Sequence, residues 1–420
     1  MQKALNIGYL WQYEDADLTQ IAATPLHIKA VCEALRARDH RVRLLTFDRG
    51  QPKVAADEAF RQWEPVRLPV TTGRYFRSVE SPLRYLQTRL SVPYIRLFDS
   101  LRYAEAVYRS LKDCQVLYER HWLHSYGGLL AARRLGVPLI LEVNGDILQE
   151  YKQLNMELST AQWRALRFII ARIFRHADHL VAVSAPLRDA LLAEWSLKPD
   201  RVTVVPNGVA ASRFARVTAA EIAAARQQYQ LNGAPIVAFV GTFKPWHGLD
   251  RLLDAFAAVA KQRPARLLLI GDGPLRQQLE AQARALQIES QLTLTGLVPP
   301  ERVPALLQAA DVAVLSPQAT PAARAQSPMK LFEYMAAGRA VVAPALPNIE
   351  AILEHGQNGY LVPVGDVEAL GSAISTLLGD EGLRERLGET ARVQAEKHHS
   401  WDATAEAIES IMYRRRASRE

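Results

Sequence analysis

Residues 326–338, which read QSPMKLFEYMAAG, have the pattern of a short amphipathic helix with recognisable ends. Ser327 is a typical N-cap, and Pro328 is a typical first helical residue because its missing N–H costs nothing there. Gly338 is expected just after the helix, where the backbone turns left-handed. The apolar run Ala340–Pro344 then predicts a short buried strand.

The start of this helix has the chemistry of an anion site. Its free N–H groups and the positive end of its dipole favour a negative charge. Lys330 lies in the first turn, where the dipole disfavours a cation. An anion bound between the Lys330 ammonium and the helix N-terminus would stabilise both. Glu333 follows one turn later on the same side and could accept two hydroxyls of a ribose or sugar. A capped helix with a surface Lys–Glu pair explains the same residues without a ligand.

Outward from this stretch, apolar strand patterns alternate with helical patterns along the chain. Such βα repetition predicts an α/β protein with parallel sheets covered by helices on both faces. The expected strands are Leu5–Leu10, Arg41–Phe47, Gln115–Tyr118, Val137–Val143, His179–Val183, Val202–Val205, Ile236–Val240, Arg266–Ile270, Leu292–Thr295, Val312–Leu315, Ala340–Ala343 and Tyr360–Val362. Helical patterns cover 25–38, 161–175, 249–262, 275–286 and 301–309.

The two series of strands predict two doubly wound, Rossmann-like domains with ligands at the carboxyl ends of the strands, in a cleft between the domains. A chain of 420 residues is also too long for one core. The predicted domains are 1–206 and 207–393. Residues 394–420 are expected to form a C-terminal helix that packs back on the first domain.

Composition favours a protein of a reducing compartment. The chain has two cysteines, Cys32 and Cys114, without metal-binding or disulfide spacing. The N-terminus enters a strand without a signal-peptide pattern, and no apolar window approaches membrane-spanning length. We therefore expect a cytoplasmic protein.

The net charge of +7 is uneven. Residues 1–200 hold 28 Lys and Arg against 22 Asp and Glu, whereas the remainder holds 23 against 22. A basic first half predicts an anionic partner such as the inner face of a membrane, although a solvated basic surface explains it equally well. The helix pattern 161–175 also carries an arginine face, which suits either solvent or a membrane surface. Residues 72–110 are rich in Tyr and Arg, but no nucleic-acid motif accompanies them.

Two further loops have a strand–turn–helix setting that suits phosphate groups. Gly241–Gly248, GTFKPWHG, offers backbone N–H groups with Lys244 as the cation. His247 is a second candidate there, or else a structural turn residue. Gly271-Asp272-Gly273-Pro274 repeats the setting, but Arg276 stands where a dinucleotide fingerprint needs its third glycine.

These motifs together resemble the retaining family 4 glycosyltransferases of the GT-B fold. The resemblance rests on Val205–Val209, Gly241–Gly248, Ile270–Pro274 and Lys330–Gly338, in the family's order and spacing. It implies an enzyme that moves a hexose-type sugar from a UDP- or GDP-linked donor to a glycan or lipid-linked acceptor, in polysaccharide or glycolipid synthesis. No further cofactor and no metal would be required.

The resemblance also implies roles for individual residues. Lys244 and Glu333 would contact the diphosphate and the ribose hydroxyls, and Asn144 stands at the position of an acceptor-side histidine. Further donor-binding positions would be Gly241, Thr242, His247, Gly271, Gly273, Val298, Ser327, Pro328, Met329, Lys330 and Leu331. Acceptor-binding positions would be Thr24, His27, Glu119 and Asp146.

The chain departs from the family pattern at three donor-side positions. Ala325 replaces the first carboxylate of a Glu-x7-Glu pair, Thr242 replaces the usual arginine, and His247 replaces the usual lysine. Lys244, with Lys330, would then balance the leaving diphosphate. We expect front-face transfer with retention. A sugar-nucleotide 2-epimerase of the same fold and a non-catalytic nucleotide-sugar-binding scaffold remain the alternatives.

Overall fold

The computed structural model describes residues 3–12, 18, 23–48, 51–89, 97–122, 126–145, 148 and 159–419. The chain divides into two compact units. Residues 1–206 and 404–420 form the first unit, and residues 207–403 form the second. None of the described helices is long and apolar enough to cross a membrane.

The first unit is built on a mostly parallel sheet of eight strands. Its strands are β1 Asn6–Trp11, β2 Arg41–Asp48, β3 Gln51–Ala55, β4 Trp63–Pro65, β5 Val116–Arg120, β6 Leu139–Val143, β7 His179–Ala182 and β8 Val202–Val204. Their order is β4-β3-β2-β1-β5-β6-β7-β8, with β3 and β4 antiparallel at one edge. The order in which the strands are added to the sheet changes direction between β1 and β5, which pair parallel.

Helices lie between these strands in chain order. They are α1 Ala23–Ala37, α2 Arg74–Arg89, α3 Leu97–Ser110, α4 Gly127–Leu135, α5 Thr160–His176 and α6 Ala185–Trp195. The last helix of the chain, α17 Trp401–Ala417, returns most of its length to this unit. There Arg38 Nε and Glu409 Oε2 lie 2.7 Å apart, and Tyr413 donates to the Lys3 carbonyl at 2.9 Å.

The second unit has a fully parallel six-stranded sheet. Its strands are β9 Ile236–Val240, β10 Arg266–Ile270, β11 Leu292–Leu294, β12 Val312–Val314, β13 Ala340–Pro344 and β14 Tyr360–Val362. The order β11-β10-β9-β12-β13-β14 places the switch in winding direction between β9 and β12. Loops at the carboxyl ends of these strands are where doubly wound sheets bind ligands.

Ten helices belong to the second unit or lead out of it. They are α7 Ala211–Ala215, α8 Ala219–Gln228, α9 Leu249–Gln262, α10 Arg276–Ala285, α11 Val303–Gln308, α12 Pro321–Ala325, α13 Met329–Ala336, α14 Pro347–Glu350, α15 Val367–Gly379 and α16 Glu381–His398. Two apolar clusters lie against the sheet, one including α13 and the other including α9 and α15. The predicted α/β fold with two Rossmann-like domains is confirmed.

Two strands were not predicted, and one helix cap was predicted wrongly. The edge strands β3 and β4 each contain a proline and pair antiparallel, so they lack the apolar runs of the central strands. The helix α13 begins at Met329 instead of Pro328, and Ser327 does not cap it. Gly338, with φ 65°, ends this helix as expected.

Candidate functional site

At the carboxyl edge of the second sheet, two glycine turns meet backbone to backbone. Gly241 follows β9 with φ 141° and Gly271 follows β10 with φ 135°. A Cβ at Gly271 would lie 2.1 Å from the Gly241 carbonyl oxygen, and one at Gly273 would lie 2.5 Å from the Phe243 nitrogen. Only glycine allows this approach, which packs the two turns together beside the switch in winding direction.

The Lys330 side chain, from the first turn of α13, reaches this junction. A Cβ at Gly241 would lie 2.6 Å from Lys330 Nζ. The ammonium also lies 4.0 Å from the centre of the Phe239 ring, and Nζ is buried with no hydrogen-bond partner. Because burial disfavours the charge, the pKa of Lys330 falls to about 7. A buried cation without an acceptor is costly, and an anionic ligand would remove that cost.

Glu333 lies one helical turn beyond Lys330 and has the opposite shift. Burial raises the pKa of its carboxyl to about 7, although Arg213 and Lys330 oppose the rise. The next residue, Tyr334, is completely buried, and its hydroxyl accepts a hydrogen bond of 2.9 Å from the Val240 N–H. This bond fixes α13 against the end of β9, so that Lys330 and Glu333 have a defined place beside the glycine turns.

The loop after β9 contributes a second cation and two rings. Lys244 Nζ lies 4.8 Å from the centre of the Trp246 ring, which is 45% exposed. Burial, followed by the charges of Lys330 and Lys244, holds the pKa of His247 well below its usual range. The predicted donor-side residues Lys244, His247 and Lys330 therefore surround one place, with His247 as its neutral member. Thr242 is exposed at the start of the same loop.

Ser327 is held by Asn207, a residue of the Val205–Val209 motif. Asn207 donates its backbone N–H to Ser327 Oγ at 3.1 Å and its side-chain amide to the Ser327 carbonyl at 2.6 Å. On the other side, the Asn348 amide donates to the Gln326 carbonyl at 2.7 Å. The Leu331 N–H already donates to the Pro328 carbonyl at 3.0 Å. We therefore expect the amides of Met329 and Lys330 to be the ones that meet a ligand.

A third loop, after β11, borders the same edge. Thr295 Oγ1 accepts from the Gly271 N–H at 3.1 Å and donates to the Gly296 carbonyl at 2.8 Å. Gly296 and Gly271 also form an isolated β-bridge. Val298 follows two residues later with its side chain buried in the apolar cluster, so its main chain is the part that could face a base.

In the first unit, the predicted acceptor-side residues gather around a carboxylate that we did not predict. Glu142 Oε1 lies 2.8 Å from His27 Nε2 and 2.8 Å from an Arg120 guanidinium nitrogen. Tyr118 donates its hydroxyl to Oε2 at 2.5 Å, and Asn144 donates its amide to Oε1 at 2.5 Å. Burial alone would raise the pKa of Glu142, but His27, Arg120 and the hydrogen bonds hold it well below its usual range.

The remaining acceptor-side predictions do not share this cluster. Thr24 is half-buried in the first turn of α1. Glu119 neighbours Arg120 on β5 and so points to the opposite face of the sheet, where a Cβ at Gly128 would lie 2.0 Å from its Oε2. Asp146 lies outside the described residues.

The positioning residues that we missed had faint signals in the sequence. Glu142 interrupts an otherwise apolar strand, which is costly unless the carboxylate has partners. Tyr334 is the polar-tipped member of an apolar helix face. The partners of both are distant in sequence, so no local pattern identifies them.

Chemically, the carboxyl edge of the second sheet is suited to hold a diphosphate. It offers a helix start, two cations and a carboxyl that could accept hydroxyls. Among the described residues, no group of three or more His, Cys, Asp or Glu side chains could hold a metal ion.

Two family profiles match the chain, one for each unit. Residues 221–394 match the profile "Glycosyl transferases group 1". Residues 26–213 match the profile "Glycosyltransferase Family 4".

Individual relatives agree with these matches. A D-inositol 3-phosphate glycosyltransferase of Actinosynnema mirum is 30% identical over 305 residues, which are 70% of this chain and 70% of that protein. An alpha-D-kanosaminyltransferase of Streptomyces kanamyceticus is 26% identical over 288 residues, 67% of this chain and 72% of that one. The structure of HepE from Anabaena in complex with UDP is similar with a TM-score of 0.70 at 19% identity, covering 98% of this chain and 100% of that one.

Proposed function

This chain belongs to the group 1 glycosyltransferases and is a hexosyltransferase, and we propose that it is a retaining enzyme that uses a nucleotide diphosphate sugar. It transfers a hexose-type sugar from a UDP- or GDP-linked donor to a glycan or lipid-linked acceptor. The reaction serves cell-surface polysaccharide or glycolipid synthesis. It takes place in the cytoplasm, at the inner face of the membrane.

One observation supports the donor class above all others. The Lys330 ammonium is buried, has no hydrogen-bond partner and lies at the junction of two glycine turns. The helix α13 adds the positive end of its dipole at the same place. A diphosphate would satisfy the cation together with the Met329 and Lys330 N–H groups at the helix start, and the Glu333 carboxyl lies one turn away for the ribose hydroxyls.

The proposed chemistry needs charge stabilisation more than it needs a protein acid. When the sugar–diphosphate bond breaks, negative charge grows on the diphosphate and positive charge grows at the anomeric carbon. Fixed donors and the cations Lys330 and Lys244 stabilise the leaving diphosphate. The acceptor hydroxyl attacks from the same face that the diphosphate leaves, and its proton passes to the departing phosphate oxygen. The configuration at the anomeric carbon is thereby retained.

For the base, UDP is the first candidate. The similar HepE structure holds UDP, and that protein shares the fold at low sequence identity. In this chain the main chain at Val298 is the proposed contact for the base.

For the acceptor, we propose that the Glu142 cluster presents Asn144 to a sugar hydroxyl. The Asn144 amide is already engaged by Glu142, which leaves its carbonyl oxygen to accept a hydrogen bond. The relative from Actinosynnema mirum is named for D-inositol 3-phosphate, which agrees with a polar, hydroxyl-rich acceptor here.

Calorimetry against UDP, GDP, ADP and their sugar conjugates tests the donor. We expect one base to bind with at least tenfold higher affinity than the others. Product NMR with the matching donor then tests the reaction, and retained anomeric configuration is the expected result. An inverted product would refute the proposed mechanism.

The two alternative functions predict different products. An epimerase would form a new sugar nucleotide without any acceptor. A scaffold would bind nucleotide but show neither transfer nor slow donor hydrolysis. Either outcome would overturn the proposal while leaving the donor site in place.

A further inference from the structure

Arg213, in the short helix α7, donates a hydrogen bond to a loop of the proposed donor site. Its guanidinium donates to the carbonyl of Pro300, two residues beyond Val298, whose main chain is the proposed contact for the base. Pro299 and Pro300 have no N–H, so this part of the loop has few donors of its own with which to hold itself. A donor from outside the loop, such as Arg213, therefore helps to fix it.

The same guanidinium acts on the carboxyl that is proposed to bind the ribose. Burial raises the pKa of Glu333, and two cations oppose the rise, with Arg213 ahead of Lys330. A diphosphate bound at Lys330 would offset the charge of that lysine. Arg213 would then be the cation that keeps the Glu333 carboxyl ionised in the donor complex.

Helix α7 is held in place by the residue that follows Arg213. Phe214 is buried in the apolar cluster that also contains Val298. Its carbonyl accepts a hydrogen bond of 3.0 Å from the side-chain amide of Gln308, in α11. The backbone that carries Arg213 is therefore packed on the same cluster as the loop to which Arg213 donates.

We propose that Arg213 is a positioning residue for the nucleoside part of the donor. It holds the base loop through the Pro300 carbonyl, and it supplies positive charge beside Glu333 so that this carboxylate accepts the ribose hydroxyls. The inference rests on the proposed donor site and deepens it, because it makes binding of the nucleoside, and not of the diphosphate, depend on Arg213.

Calorimetry with UDP and with inorganic pyrophosphate tests which part of the donor depends on Arg213. In Arg213→Ala, UDP affinity should fall roughly tenfold, as when a hydrogen bond from a charged donor is lost. Pyrophosphate affinity should change less than about threefold, because the exposed charge of Arg213 is screened. If the original chain prefers GDP, then GDP replaces UDP.

The matched control is Arg216→Ala. Arg216 is also exposed and lies three residues after Arg213, so the variant removes the same charge from the same segment. It should leave both affinities within about twofold of the original chain. Melting temperatures within roughly 2 °C of the original chain are expected for all these variants, since both arginines lie at the surface.

A pH series separates the charge of Arg213 from its hydrogen bond. The ratio of the affinities for UDP and 2′,3′-dideoxyuridine diphosphate reports the ribose hydroxyls alone, because the two ligands share the base and the diphosphate. This ratio should rise with pH and level off once Glu333 is ionised, since the ionised carboxyl is the better acceptor. Without the Arg213 charge Glu333 ionises at higher pH, so in Arg213→Ala the rise should move up by roughly half a pH unit or more. In Arg213→Lys, which keeps the charge, the rise should stay in place.

Three results would overturn the proposal. They are an equal loss of UDP and pyrophosphate affinity in Arg213→Ala, an equal loss of UDP affinity in Arg216→Ala, and a pH series that does not move in Arg213→Ala. The last result would leave Arg213 as a residue that holds a surface loop and has no effect on Glu333.

The same variants distinguish this inference from the proposed function. If nucleotide binding responds to Arg213→Ala as expected but no sugar is transferred, the positioning role stands and the proposed transfer fails. If sugar is transferred with retention and Arg213→Ala keeps the donor KM of the original chain, the proposed function stands and the positioning role fails.

Discussion

The two carboxyls at the proposed sites, Glu142 in the first unit and Glu333 in the second, have opposite surroundings. Glu142 accepts from Tyr118 and Asn144 and lies against His27 and Arg120, and its pKa is held low. Glu333 is left near Lys330 and Arg213 without comparable neutralisation, and burial raises its pKa to about 7. One unit satisfies its buried charge within the fold, while the other leaves charged groups partly unsatisfied.

This contrast distinguishes a structural cluster in the first unit from a ligand-binding cluster in the second. A buried carboxylate that is fully paired has no capacity left for a ligand, so Glu142 holds its neighbours in place and those neighbours meet the acceptor. A buried ammonium without a hydrogen-bond acceptor, such as Lys330, is stabilised further when an anion binds. The donor site is therefore expected to respond strongly to ligand, and the acceptor-side cluster to depend on the integrity of the fold.

The largest expected effect is on stability, from Glu142→Gln. The amide cannot balance both His27 and Arg120, so the change should lower the free energy of unfolding by roughly 3–5 kcal/mol, as when a buried ion pair loses one partner. Urea denaturation followed by circular dichroism measures it. The matched control is Asp189→Asn, an acid whose side chain is 64% exposed and whose loss should cost less than about 0.5 kcal/mol. Equal costs for the two variants would show that Glu142 is not a structural hub.

The next effect is on donor affinity, from Lys330→Met. The methionine keeps the packing against Phe239 but removes the charge, so nucleotide-sugar affinity should fall by roughly 1.5–3 kcal/mol, about ten- to 150-fold. Lys244→Met should have a smaller effect within this range, because the Lys244 ammonium already has the Trp246 ring as a neighbour. Calorimetry with both variants measures the difference. Unchanged affinity in both would place the diphosphate elsewhere.

The sequence predicted the strands of both sheets well because parallel, buried strands carry continuous apolar runs. The twelve expected strands all occur, although several end one or two residues away from the predicted limits. The glycine turns were also predictable, because strand–turn–helix settings repeat along the chain. Strands β3 and β4 were not, since a half-exposed antiparallel edge has no such run.

Contacts between residues that are distant in sequence could not be predicted from the sequence. Ser327 is a residue type that commonly caps helices, but its hydroxyl accepts a hydrogen bond from the Asn207 N–H, 120 residues away in sequence. Glu119 was predicted to be an acceptor-side residue and Glu142 was not predicted, and strand alternation places the two on opposite faces of the sheet. The exposure of Tyr75, Val79, Leu83 and Leu86 on α2 could not be predicted either. An apolar helical pattern predicts a buried face, whereas on α2 the charged Glu80 is buried in ion pairs.

The smallest expected effect is a pH dependence of donor affinity. It tests whether the Lys330 ammonium lacks an acceptor until the donor binds. The free-state pKa of Lys330 is about 7, and burial is its cause. A bound diphosphate favours the ammonium and raises this pKa, so binding takes up a proton at pH values above 7. Affinity should therefore be constant below pH 7 and fall roughly three- to tenfold between about pH 7 and 8.5.

The measurement should use a sugar nucleotide, because its esterified diphosphate has no proton to gain or lose in this range. Glu333 ionises over the same range, and its carboxylate would accept ribose hydroxyls better as pH rises, which opposes the Lys330 effect. In Lys330→Met only the Glu333 contribution remains, so the difference between the two pH profiles isolates the lysine. A matching decline in both proteins would mean that Lys330 is already satisfied before the donor arrives. A flat or rising profile in Lys330→Met beside a declining one in the original chain would assign the anion contact to this lysine, and through it to the start of α13.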